Sequence, residues 1–278
     1  MSILAVLAAQ TVYAGAAATC ASDTEIPRSK GEKSMLKLMV KGMLASLTAL
    51  ILIAPVKAQS FDYLLLAASW QPGFCVSHKT KPECVSLKGT YAASNLALHG
   101  LWPNAYDGNH PFYCNVPQKD ITLDMASNWC AMDPYGVSST TKSTLTTYMP
   151  GIASCLDEHE WFKHGSCDGQ TPDAYWGSAI NVMSQFGHTS FNTFLKNNAG
   201  KYVTTAQMLN AFEGTFGTGT RAAASLNCTK TGTISYFTEI WVALNKNALA
   251  QFPSKNALVL DGAVSNTCPS TKIFIALP

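Results

Sequence analysis

Strand-like runs at both ends of the chain, with helical patterns grouped between them, predict an α+β domain: a central antiparallel sheet with helices packed on one side. Residues 61–70 form a near-continuous apolar run closed by Gln71-Pro72-Gly73, which reads as a central strand leading into a turn. Strand patterning returns at residues 235–244, 257–260 and 273–277. At 278 residues and 47% hydrophobic composition the chain can bury a substantial core.

The front of the chain reduces the reading to one domain. Residues 35–58 carry Lys37 and Lys41, then an apolar run from Met43 to Ala54, then Val56-Lys57-Ala58 before Gln59. These are the parts of a secretory signal, and the apolar run is too short for a comfortable membrane span. Cleavage after Ala58 is expected, leaving residues 59–278 as a single periplasmic or secreted domain with no stable membrane association. Residues 1–34 then read as an upstream extension from a misplaced start codon, with Met35 the initiator. Two rivals remain open: an export segment at residues 2–15, which lacks Lys or Arg in front of its apolar run, and lipid attachment at Cys20, which lacks the expected Leu and small residue.

Setting residues 1–58 aside removes 6 of 19 Lys+Arg and 3 of 17 Asp+Glu, so the domain carries 13 against 14, a net charge of −1. That balance excludes a global electrostatic grip on a long polyanion, and any nucleic-acid contact must be local to a cleft. Nine cysteines become eight without Cys20: Cys75, Cys84, Cys114, Cys130, Cys155, Cys167, Cys228 and Cys268. An even number behind an export signal implies a disulfide framework in an oxidising compartment. The lack of any CxxC pair argues against a zinc knuckle or a thioredoxin-type motif.

In chain order, residues 95–102 read as a second strand, and residues 104–135, rich in Asn, Asp, Pro and Gly, as a long disulfide-held loop region. Residues 140–149 read as a helix stopped by Pro150-Gly151. A helix from about Ser154 follows, with Asp157, Glu158 and Glu160 early, where acids suit the dipole, and Gly165 as its stop. Thr171 caps a helix opened by Pro172 and continued through Tyr175, Trp176, Ile180 and Met183. Residues 191–196 and 205–216 are two more, the second capped by Thr204 or Thr205; their aromatic and Met positions are core rather than a cofactor box. Asn227-Cys228-Thr229 fits a glycosylation sequon by chance.

Two short stretches carry the chemistry. Residues 158–164 pack His159, His164, Glu158, Glu160 and Lys163 into seven positions, with Glu160 and His164 on one helical face and His159 and Lys163 beside them. HEWFKH is not a zinc motif, because histidines at i and i+5 lie about 140° apart around a helix and a zincin needs i and i+4. Alone, this stretch also fits a charged, solvated helix face. Upstream, Leu98-His99-Gly100-Leu101-Trp102-Pro103 sets a His in a buried strand, where a lone His is more often a satisfied core residue than a catalyst. Two histidines titrating near neutrality can divide one reaction, one taking a proton and the other giving one.

Together HGLWP and HEWFKHG resemble the two signatures of the ribonuclease T2 family, and more closely the periplasmic RNase I branch of bacteria. The resemblance spans essentially residues 60–278 and matches the α+β fold. It implies an endoribonuclease that cleaves single-stranded RNA without metal or cofactor, through 2′,3′-cyclic phosphate ends to 3′-phosphates, leaves DNA intact, and acts as a monomer. It implies His164 as base and His99 as acid, Glu160 and Lys163 as stabilisers of the phosphorane, and His159 as a phosphate contact. Trp102 reads both as core beside His99 and as a stacking surface for a base. Asn104, a further substrate contact, replaces an acidic residue that some members use to read adenine, and Ser69 stands where a Gln often helps hold a second base. The resemblance also implies the pairs Cys75–Cys84, Cys114–Cys167, Cys130–Cys155 and Cys228–Cys268. Two alternatives compete: a secreted binding or toxin-like protein on this fold without catalysis, against which both signatures stand intact, and a thiol hydrolase using Cys167 near His164, which an even cysteine count disfavours.

Overall fold

The computed structural model describes residues 60–262 and 266–278; the expected extension at 1–34, the signal at 35–58 and the cleavage after Ala58 lie outside them. Among the described residues the strands are β1 (Tyr63–Ser69), β2 (Ala97–Asn104), β3 (Tyr202–Val203), β4 (Ala224–Thr231), β5 (Ile234–Leu244) and β6 (Ile273–Phe274). They form one sheet in the order β2-β1-β5-β6-β3, with β4 paired to the same β5. The helices are α1 (Gln71–Cys75), α2 (Pro82–Val85), α3 (Gln118–Met125), α4 (Ser139–Tyr148), α5 (Leu156–Lys163), α6 (Pro172–Gly187), α7 (Ser190–Asn197) and α8 (Thr205–Phe216).

The apolar run at residues 61–70 becomes β1 because it is buried on both faces and both edges: β2 lies antiparallel on one side and β5 antiparallel on the other. On one face Leu64, Leu66, Leu98, Leu101, Ile240 and Val242 pack against Trp176, Met183 and Phe186 of α6, Phe191 of α7, and Met208 and Phe212 of α8. Burying each side chain of that size stabilises the fold by roughly 1.5–3 kcal/mol. Caps fix where these helices begin. The Thr171 hydroxyl accepts from the Ala174 amide, and Thr204 with Gln207 forms a reciprocal capping box, so Thr204 rather than Thr205 is the cap. The opposite face carries only a small cluster of Tyr63, Leu65 and Ala243, with Trp102 and Trp241 against it. That is the face the site uses.

Four expectations need correction. The sheet is mixed, because β5 and β6 run parallel, which requires a crossover connection rather than a hairpin between them. The strand expected at 257–260 shrinks to a single bridge between Leu258 and Leu244, and the one at 273–277 to two residues. The loop expected at 104–135 contains α3, whose buried side chains are Asp120 and Asp124, so no apolar period announces it. The four cysteine pairs are the expected ones, with Cα separations of 5.4, 4.9, 5.3 and 4.7 Å.

Candidate active site

The site begins with a fault in β2. Opposite Ala67 stands Gly100 and opposite Ala68 stands Leu98, so His99 is an extra residue in a β-bulge. In a regular strand Leu98 and Leu101, three apart, would face opposite sides. The bulge lets both enter the helix-side core and turns His99 into a cleft. A second bulge, at Thr238 in β5, adjoins Glu239.

The helix that carries the second signature crosses this point, and Gly100 lets it come close. A Cβ there would lie 2.1 Å from Glu160 Oε2 and 2.2 Å from Trp102 Nε1. Where that Cβ would sit, the Trp102 indole donates to Glu160 Oε2 at 2.5 Å. Cys114–Cys167 and the Tyr113 amide, which donates to the Lys163 carbonyl at 3.0 Å, hold the loop bearing Phe112 against the end of α5. Cys167 is therefore bridged rather than a free thiol, which removes the thiol-hydrolase reading.

All seven residues expected at the site, His99, Trp102, Asn104, His159, Glu160, Lys163 and His164, line one cleft of about 430 Å³. Glu160 is at its centre, 1% exposed, with Oε1 at 3.3 Å from His99 Nε2 and 3.8 Å from His159 Nε2. Burial raises its pKa, but the adjacent His99 imidazole and the two other histidines outweigh it and bring the group down to about 2.

The three imidazoles sit in different surroundings. Enclosure by protein lowers the pKa of His99, yet Glu239 and Glu160 on either side overcome this and hold it well above the ordinary histidine value. His159 pairs its Nδ1 with Asp124 Oδ1 at 2.6 Å and stacks on Trp129 with centroids 4.5 Å apart. His164 is buried between Trp102, stacked at 5.1 Å, and the edge of Phe112, and its Nδ1 has no hydrogen-bond partner among the described residues. Burial pushes its pKa down to about 4, with Glu160 opposing and Lys163 assisting.

Lys163 makes no ion pair among the described residues and holds its ammonium 5.9 Å from the centre of the Phe112 ring. Trp102 walls the cleft with its ring while its N–H donates to Glu160. Asn104 is buried at the rim, where its amide donates to the Tyr63 hydroxyl at 3.4 Å. Among the described residues no group of three or more His, Cys, Asp or Glu side chains has the geometry to hold a metal ion.

Sequence reasoning missed Glu239 and Asp124. Glu239 lies in β5, separated by 140 positions from the histidine it binds, and Asp124 lies in the helix hidden inside the expected loop. The available signal for Glu239 was weak: one charged residue in an otherwise uncharged strand.

Residues 61–254 match the family model described as the ribonuclease T2 family. The chain belongs to the ribonuclease T2 family. As a member it is an endoribonuclease. It is 32% identical over 218 residues to Ribonuclease I of Escherichia coli (strain K12), a match covering 72% of this chain and 81% of that one. It is 30% identical over 139 residues to the extracellular ribonuclease LE of Solanum lycopersicum, covering 46% and 53%. The fold recurs in a variant of RNase MC1 bound to 5′-UMP (TM-score 0.55, 19% identity, 78% of this chain and 100% of that one). It recurs also in RNase NT bound to 5′-AMP (TM-score 0.55, 19% identity, 78% and 98%).

Proposed function

We propose that this cleft cleaves single-stranded RNA by transesterification, with the substrate's own 2′-hydroxyl as nucleophile. What carries the reading is the opposite environment of two imidazoles flanking one carboxylate: His164 is kept neutral and His99 is kept protonated. His164 takes the 2′-hydroxyl proton, the O2′–P bond forms, the P–O5′ bond breaks, and His99 gives its proton to the departing 5′-oxygen. The product is a 2′,3′-cyclic phosphate. Water opens it to a 3′-phosphate with the two proton transfers reversed. Lys163, facing the cleft, balances the charge of the phosphorane together with Glu160, which holds the site in register, and His159 contacts the phosphate. Trp102 and the 46% exposed Phe112 offer rings on which a base can stack.

The test is to incubate purified protein of residues 59–278 with yeast RNA and with single-stranded DNA, each with and without EDTA. RNA should be cut equally with and without chelator, giving cyclic phosphate ends, and DNA should survive. Loss of activity in EDTA, or cleavage of DNA at a comparable rate, would remove the mechanism. We further propose that the domain is exported and acts as a monomer, with cleavage after Ala58. N-terminal sequencing of periplasmic material checks the cleavage: Gln59 is expected, and residues before Met35 would refute it.

A pH profile follows with a defined sign. His164 must be unprotonated, so the rate rises as pH climbs through about 4. His99 must be protonated, so the rate falls only above the ordinary histidine range. The profile of kcat/KM on a dinucleotide should therefore be a broad bell whose two limbs are macroscopic properties of the coupled site. A rising limb above pH 6 would contradict the assignment of the base.

A further inference from the structure

We infer that Glu239 is a positioning residue for His99, fixing which ring nitrogen faces the substrate and favouring the cation that donates the proton; this rests on the mechanism proposed above. Glu239 Oε1 lies 2.7 Å from His99 Nδ1. The same oxygen accepts from the Ser69 hydroxyl at 3.0 Å, and Oε2 accepts from the Trp241 indole N–H. Glu239 is 12% exposed, and among the described residues its ion-pair partner is His99, with no Lys or Arg in reach of an ion pair. A carboxylate so enclosed without a cation is costly, and the protonated imidazole supplies one.

With Nδ1 held by Glu239, Nε2 points the other way, to 3.3 Å from Glu160 Oε1. That is the nitrogen left to serve a leaving oxygen in the cleft. When His99 is neutral, the bond to Glu239 keeps the proton on Nδ1 and leaves Nε2 as the acceptor that the second half of the reaction requires. His159 has the same arrangement, its Nδ1 on Asp124. His164, the base, has no carboxylate on its Nδ1 among the described residues. A carboxylate thus backs His99, which acts as a cation, and none among the described residues backs the Nδ1 of His164, which acts neutral.

The charged and titratable groups on the cleft side of His99 are Glu239 from β5, Glu160, His159, Lys163 and His164 from α5 and its end, and His110 from the loop after β2. On the far side, His78, Lys81 and Glu83 line a second cleft of about 330 Å³ that shares His99 and Glu239.

Glu239→Gln keeps the shape and removes the charge. The His99 ring is titrated by NMR in isotope-labelled protein, alongside kcat and KM on a dinucleotide across pH. The His99 pKa should fall, and the falling limb of kcat should move to lower pH by the same amount. At pH 7, kcat should drop on the order of tenfold or more, part of the roughly 10²–10⁴ that a placed acid supplies, with KM within about twofold. Glu239→Asp should restore part of the rate. Ser69→Ala, which removes one donor from the carboxylate and makes it more basic, should move the His99 pKa in the opposite direction, and it serves as the readout if Glu239→Gln does not fold. A residue that only braces the sheet would lower kcat uniformly and leave the His99 titration in place. That result, or shifts of the same sign in Glu239→Gln and Ser69→Ala, overturns the inference. A wild-type protein that fails to cleave RNA overturns the underlying mechanism instead.

Discussion

Alanine at His99 or at His164 should each slow RNA cleavage by about 10²-fold or more, the usual contribution of one placed acid or base, but the two losses should respond differently to the leaving group. His99 sits on the bulge with Nε2 open to the cleft and is held as a cation, so in the cleavage step its role is to protonate the departing 5′-oxygen. A substrate whose 5′-oxygen belongs to an activated aryl group needs no acid. On it His99→Ala should recover most of the lost rate, and His164→Ala, which removes the base, should recover little. The comparison is kcat/KM on a dinucleotide against a uridine 3′-aryl phosphate for each variant. Equal recovery by both variants would exchange or dissolve the roles. The double variant should be little worse than the poorer single one, because the two groups act in one step. Glu160→Gln should do less damage than either, and Lys163→Ala should lower kcat more than it raises KM.

Gly100→Ala should lower activity sharply although no charged or titratable group is replaced. The added methyl would lie 2.1 Å from Glu160 Oε2 and 2.2 Å from Trp102 Nε1, well inside van der Waals contact. Neither neighbour has room to yield: Glu160 is 1% exposed on a helix packed against the strand, and Trp102 lies between His164 and Trp241. Separating the indole from Glu160 moves the carboxylate away from His99, which then loses one of the two carboxylates that hold it as a cation. A rate loss of about 10²-fold or more, comparable to losing a catalytic base, is expected, with a stability loss of about 1–3 kcal/mol from overpacking. Gly177→Ala is the control. It lies mid-helix in α6 with nothing within 4 Å of its added methyl, and should stabilise by about 0.5–1 kcal/mol with activity unchanged. Thermal denaturation and initial rates on the two proteins make the comparison.

The pattern of legibility has physical causes. His99, Gly100 and Trp102 are contiguous, as are His159, Glu160, Lys163 and His164, so each half of the site is written locally, and all of them meet in the cleft. β1 was legible because both its faces are apolar. β4 was not, since its second half is exposed and polar, and α3 was not, because it buries Asp120 and Asp124. Glu239 needed the pairing of β1 with β5 to bring it beside Ser69, a partner set by long-range register. No periodicity within β5 could name it.

The bulge at His99 sets two demands against each other at a single codon. Deleting that residue would pair Gly100 and Leu98 in sequence across from Ala67 and Ala68, giving an unbroken ladder. It would also remove the imidazole that the ladder's interruption exists to present. Selection for a better sheet and selection for turnover therefore pull in opposite directions there, and drift toward a more regular strand would yield a sturdier protein that no longer cuts. The surrounding loops can lengthen or shorten without that conflict. The length of β2 cannot change by even one residue.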